Sequence, residues 1–216
     1  MYNPSHFRQQ DPAELHALLR AHPLATLVVQ GGDGLEASQV PLLFDPAAGA
    51  HGTLRGHLAR ANPLWRAAVG GCPALALFHG PQGYVSPGWY PTKREDPRVV
   101  PTWNYAVVHA HGTLRAIDDP AWLRGVVTAL TATHEASRAE PWQVSDAPAD
   151  YLERQLRAIV GIELALTRLE GKWKLSQNRA EADRAGVAAG LEGDGDASGR
   201  ELAGLMRLAA ERSPPR

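Results

Sequence analysis

The chain has 216 residues, 44% of them apolar and 21% charged, with 22 basic against 23 acidic side chains and a net charge of −1. That length supplies one substantial core or two small ones without disulfide staples. The single cysteine, Cys72, excludes a disulfide framework and a cysteine-based zinc site and fits a reducing compartment. No apolar run approaches the roughly 18 residues of a spanning helix, and no secretory signal is expected at the N-terminus. The missing basic excess argues against generic nucleic-acid binding. A soluble, cytoplasmic, globular protein is the expectation.

Asp11-Pro-Ala-Glu14 has the order of a helix start, with Asp as cap, Pro in the first turn and Glu three residues on, and Pro23 ends that helix. Ala25 to Gln30 is a β-type run, joined through a Gly31-Gly-Asp-Gly34 hairpin to a strand over Leu35 to Phe44. After the Asp45-to-Gly49 turn, another strand ends near His57, and Asn62-Pro63 caps a short helix. Ala74 to His79 has the pattern of a buried strand, and Val99 to Ile117 forms one or two more, with Pro101 bounding the ladder.

Asp119-Pro120 opens the longest helix, to about Ala136, and Pro148 opens another, to about Arg157. Ile159 to Leu169 is a last long strand, closed by Gly171. Leu191 to Gly199 has the composition of a flexible loop, and an amphipathic segment over Glu201 to Glu211 precedes a frayed Ser-Pro-Pro-Arg end. Short antiparallel strands with peripheral helices predict an α+β fold built on a closed or half-closed β-barrel. Residues 1–190 form the domain, and residues 191–216 a flexible loop and helical tail.

Five of the fourteen aromatic side chains (Tyr84, Trp89, Tyr90, Trp103 and Tyr105) lie within 22 consecutive residues, among Pro, Gly, Ser, Thr and Asn. Such a stretch lines a site that stacks on a planar ligand, or plugs one end of a barrel. Lysine is used three times against nineteen arginines, and each lysine falls in a motif-like segment: Lys93 after the aromatic loop, and Lys172 and Lys174 in Gly171-Lys-Trp-Lys-Leu-Ser-Gln-Asn-Arg179. On an extended backbone Lys172 and Lys174 share one face and Trp173 takes the other. The pair can hold a phosphate, or it can be a solvated strand end over a buried Trp. Arg55 to Pro63 leaves a strand for the start of a helix, where backbone N–H groups favour an anion, with His57 and Arg60 as added donors.

Other chemistries find less support. His109 and His111 share a strand face without an evident third metal ligand, so no metal is expected. His134 is late in a helix, and Cys72 is at a strand entry where it packs. No phosphate loop, Rossmann fingerprint, nucleophile elbow or evident catalytic acid or base is present.

Met1-Tyr-Asn-Pro-Ser-His-Phe7, Gly56-His-Leu-Ala-Arg-Ala-Asn-Pro63, Tyr84-Val-Ser-Pro-Gly-Trp-Tyr90, Val100-Pro-Thr-Trp-Asn-Tyr105 and Gly171-Lys-Trp-Lys-Leu-Ser-Gln-Asn178 together resemble, in order and to about Gly190, the PaiB-like FMN-binding negative transcriptional regulators. The resemblance implies a flavoprotein with an FMN-binding split barrel, paired as a homodimer with each flavin in a cleft between barrels. Under it, Arg60 and Lys93 are the favoured phosphate contacts, supported by His57, Asn62 and Ser86. Trp89, Trp103 and Tyr105 are stacking candidates and Asn104 an edge donor. Lys174, Gln177 and Asn178 complete the site, from either chain, and Ala37-Ser38-Gln39 approach the ring through backbone groups. DNA or another regulatory protein is the implied partner. A flavin-dependent oxidoreductase or flavin reductase is the alternative, and a haem-binding split barrel with His6, His57, His109 or His111 as axial ligand is a third.

Overall fold

The computed structural model describes residues 1–32, 34–194 and 196–211. In chain order the strands are β1 (Arg8–Gln9), β2 (Leu24–Gly31), β3 (Gly34–Pro41), β4 (Leu43–Asp45), β5 (Thr53–Ala59), β6 (Cys72–Val85), β7 (Thr102–Ile117) and β8 (Ile159–Lys174). The helices are α1 (Pro12–Ala21), α2 (Leu64–Ala67), α3 (Pro120–Glu135), α4 (Ala149–Arg157), α5 (Glu181–Gly193) and α6 (Ala197–Glu211). The fold is α+β, and its strands pair in the order β3-β2-β6-β7-β8-β5-β4, with β1 joined to β8. Among the described residues the two ends of that path, β3 and β4, do not pair, so the sheet is split and not closed.

The chain divides into two compact units. One comprises residues 16–78 and 109–169. Its β2–β3 hairpin is in register from Leu24 opposite Pro41 to Gly31 opposite Gly34. The alternation of apolar and polar residues on β2 buries Ala25, Leu27 and Val29, as a half-buried strand requires. β5 pairs with β8 from Thr53 opposite Ala165 to Ala59 opposite Ile159, and Leu54, Ile162 and Leu164 are fully buried. Helices α3 and α4 pack through Leu123, Leu152 and Leu156. Asp119 caps α3 by accepting a hydrogen bond from Trp122 N–H at 2.6 Å.

The other unit comprises residues 1–15, 79–108 and 170–216. It contains β1 with the end of β8, in register with Arg8 opposite Lys172 and Gln9 opposite Gly171. Helices α5 and α6 bury Val187, Leu191, Leu202, Ala203 and Met206.

Four sequence expectations change. The strand expected over Leu35 to Phe44 breaks at Leu42, whose N–H turns to the Pro23 carbonyl at 2.9 Å, leaving β3 and β4 separate. β6 runs on past His79 to Val85 through Pro81 and Gly83. β8 continues through Gly171 to Lys174, because that glycine serves close approach: a Cβ there would lie 2.3 Å from Leu15 Cδ2 and 3.0 Å from the Gln9 carbonyl. The loop expected over 191–199 is helical at both ends, since α5 reaches Gly193 and α6 starts at Ala197. Asp33 of the expected hairpin turn, Gly195 of that loop and the frayed end at 213–216 lie outside the described residues.

Candidate functional site

Within the unit formed by residues 1–15, 79–108 and 170–216, the start of β7 lies beside the end of β8. Pro101 has no N–H to give a ladder, so β7 begins after it. Alternation then puts Trp103 and Tyr105 on one face and Asn104 on the other. Trp103 stays 48% exposed; its indole N–H donates to Gln82 Oε1 at 3.1 Å, and its ring meets Tyr84 edge-on, with centroids 6.2 Å apart.

Asn104 is fully buried. Its amide donates to Ser176 Oγ at 2.9 Å, while Oδ1 has no hydrogen-bond partner among the described residues. Ser176 follows β8 in the left-handed region, at φ 63°, a conformation that a non-glycine residue holds at some cost.

On β8, Trp173 is buried and the two lysines occupy the opposite face. Lys172 is 9% exposed; its ammonium donates to the Tyr2 carbonyl at 3.1 Å and stands 5.5 Å from the Tyr105 ring centre and 5.6 Å from that of Tyr2. Lys174 donates to Thr102 Oγ1 and to the Trp103 carbonyl, the latter at 2.6 Å. Burial, followed by repulsion from Lys172, pushes the Lys174 ammonium pKa down. Gln177 closes the turn after β8: Oε1 accepts from Leu175 N–H at 2.7 Å and Nε2 donates to the Trp173 carbonyl at 2.5 Å. Asn178 is exposed beyond it.

The same unit holds the aromatic loop. Ser86 opens a 3-10 turn over Pro87–Trp89 by accepting from Gly88 N–H at 3.1 Å. Trp89 lies against α5, where Gly186 and Gly190 leave room for it. Lys93 is exposed on the next 3-10 turn, Pro91–Arg94. That turn is tied to α5 by buried Asp183, which accepts from the Thr92 hydroxyl at 2.8 Å and its N–H at 3.2 Å.

His57, Arg60 and Asn62 belong to the other unit. His57 on β5 has Nδ1 buried with no hydrogen-bond partner among the described residues, and burial pushes its imidazole pKa down. Arg60 pairs with Asp118 through two bonds, at 2.9 and 2.6 Å, and donates to the carbonyls of Arg157 and Ile159 at 2.8 and 3.0 Å. Asn62 donates to Ser38 Oγ at 2.9 Å and accepts from Leu64 N–H at 3.0 Å. At this helix start α2 is a single turn of four residues, and the Asn62 side chain is engaged through both its amide group and its oxygen. Ser38 and Gln39 sit on β3, where Gln39 Oε1 accepts from Thr26 Oγ1 at 3.0 Å.

The structure therefore gathers Trp103, Asn104, Tyr105, Lys174 and Gln177 at adjacent strand ends. It adds Tyr2, Thr102, Lys172 and Ser176 to them. The scarcity of lysine marks Lys172 in the sequence, whereas no local signal marks Tyr2. Two ammonium groups with neutral partners beside an aromatic wall fit a ligand that is planar and anionic. FMN has those features, with a phosphate for the cations and a ring for the wall.

A family described as "Putative FMN-binding domain" matches residues 1–168. The protease synthase and sporulation protein PAI 2 of Bacillus subtilis is 30% identical over 206 residues, covering 95% of this chain and 96% of that protein. The chain belongs to the PaiB-like FMN-binding family. An uncharacterised protein of Emericella nidulans, 34% identical over 232 residues, covers 91% of this chain and 92% of its own.

Among solved structures, the FAD and heme binding protein of Mycobacterium smegmatis matches at a TM-score of 0.58 and 21% identity, over 82% of this chain and 78% of that one. The flavocytochrome Anf3 of Azotobacter vinelandii matches at 0.58 and 15%, over 83% and 75%. At those identities the likeness is one of fold. FMN is the cofactor of this PaiB-like family, and the expected split-barrel fold and cofactor both hold.

Proposed function

We propose that the chain works as a cytoplasmic FMN-binding homodimer of the PaiB type, which acts in negative control of transcription together with DNA or a second regulatory protein. The observation that carries the flavin part is the half-exposed ring of Trp103, on the same face of β7 as Tyr105, whose ring centre stands 5.5 Å from the Lys172 ammonium. An isoalloxazine stacks on such an aromatic wall, and a cation beside it suits the flavin's phosphate. Bound FMN would supply the redox chemistry, while the chain's residues bind and orient the ring. Trp103 and Tyr105 are the stacking side chains in this reading, Lys174 and Gln177 frame the site, and Asn104 on the inner face of β7 holds the strand through Ser176.

Two features support a regulatory role. The name of the Bacillus relative ties that protein to protease synthesis and sporulation. The net charge of −1 favours action through a partner over a broad phosphate grip. Among the described residues no helix is long and apolar enough to cross a membrane, which is compatible with the cytoplasmic placement.

An FMN titration followed by absorption, with light scattering for mass, tests the core of this reading. Saturable FMN binding at dimer mass supports it, and a folded chain that binds no flavin overturns it. DNA retardation that persists at moderate salt supports the regulatory part; rapid NAD(P)H consumption with FMN favours the flavin reductase instead.

A further inference from the structure

We infer that Lys172 and Lys174 jointly anchor the phosphate monoester of FMN beneath the N-terminal segment that carries Tyr2. This rests on the FMN reading above and adds to it the group that each lysine would hold. Buried ammonium groups in folded chains are ordinarily paired with a carboxylate. Here the observed partners of both are neutral: the Tyr2 carbonyl and two aromatic rings for Lys172, and the Thr102 hydroxyl and Trp103 carbonyl for Lys174. The two lysines alternate along one extended strand, so both side chains leave it on the same face. Glu170, on the same alternation, is engaged by the Met1 amino group at 3.5 Å.

Two cations placed side by side repel unless an anion comes between them, and a phosphate dianion matches their combined charge. An ammonium binds phosphate as a compact point charge, a use consistent with lysine appearing here in a chain that otherwise relies on arginine. Residues Met1–Gln9, which cover Lys172, are held by the Met1–Glu170 ion pair at 3.5 Å, by the Asn3 amide on the Gly171 carbonyl at 2.8 Å and by the two-residue pairing of β1 with β8. Tyr2 remains 85% exposed. A ligand can therefore meet Lys172 at the margin of this strap.

The test is a pair of titrations, FMN and riboflavin, on the full chain and on K172Q/K174Q. The two flavins differ only by the phosphate, so riboflavin binding reports an intact ring site in the same variant. The expected result is an FMN-to-riboflavin affinity ratio that falls about 100-fold in the double variant, the loss of two charge-assisted hydrogen bonds, with riboflavin affinity retained. K174R, which keeps the charge, retains most of the preference. Inorganic phosphate displaces FMN from the wild type, and does so no longer from the double variant.

A double variant with an unchanged ratio overturns the anchor, as does a wild type that binds both flavins equally. If the double variant binds neither flavin, K174Q decides by the same ratio, because Lys174 is only half-buried. A folded wild type that binds neither flavin overturns the FMN reading itself, and the anchor with it.

Discussion

The Lys172 ammonium stands 5.5 Å from the centre of the Tyr105 ring, a cation–π contact between residues that are distant in sequence. It exists because β7 and β8 are neighbours in the sheet, so the aromatic run that begins β7 meets the cationic run that ends β8. The contact also fixes which face of β7 is polar. Tyr105 and Trp103 share one face of β7, and Asn104 is turned inward to Ser176.

Trp103 is the side chain whose loss should separate ligand binding from folding. It is half-exposed, and its indole N–H donates to the exposed Gln82. Trp103→Ala should therefore leave the thermal midpoint nearly unchanged and weaken FMN binding by about tenfold, or ~1.4 kcal/mol, the scale of a lost aromatic stack. Trp103→Phe should recover most of that affinity. Flavin fluorescence quenching measures both, and equal affinity in all three proteins would place the ring away from β7.

Arg60 should behave in the opposite way. Its guanidinium ties the end of β5 to Asp118, Arg157 and Ile159, so its donors are engaged within its own unit. Arg60→Ala should lower the melting temperature and leave the FMN-to-riboflavin ratio within about twofold of wild type, since the surface pair acts on the local fold. A ratio that collapses in Arg60→Ala would return this arginine to the phosphate site.

Much of the fold was legible from punctuation. Asp11 and Asp119 cap their helices as their sequences predict, and Pro12, Pro23 and Pro120 bound them. The strands failed where glycine or proline marks close packing and not a turn: Gly171 continues β8 because Leu15 and Gln9 press against it, and Pro81 and Gly83 lie within β6. The cluster of aromatics and lysines pointed to strand ends that do come together. What single-residue chemistry could not reveal was prior engagement. Nothing local says that Arg60 meets Asp118, or that the Tyr2 carbonyl faces Lys172, because both pairings depend on long-range strand order.

Acid should weaken the fold in two stages. His57 is held neutral by burial, so its folded pKa is below the unfolded value of about 6.5. Between those values the unfolded chain binds the extra proton, and stability declines as pH falls through that window. Asp118 is held below the usual carboxylate range, first by the hydrogen bond from Arg60. Its contribution is present above about pH 3.9 and is lost as pH falls further through its folded pKa. Urea midpoints measured across pH should show His57→Asn flattening the upper stage alone and Asp118→Asn flattening the lower.

Gly190→Ala tests whether the aromatic loop is clamped by α5. In an open helix this change stabilises by roughly 1 kcal/mol, because alanine is the better helix former. Here a Cβ at position 190 would lie 2.3 Å from Cδ2 of Trp89 and 2.4 Å from Cε2, so the indole must move or the helix must shift. Overpacking of that kind costs about 1–3 kcal/mol, which outweighs the propensity gain. The expected outcome is a net loss of stability in urea with a changed tryptophan emission. Gly193→Ala, on the same helix with open space around it, should show no comparable loss. If Gly190→Ala raises the midpoint as Gly193→Ala does, Trp89 is free to swing from α5, and the loop bearing Ser86 and Lys93 is not fixed by that contact.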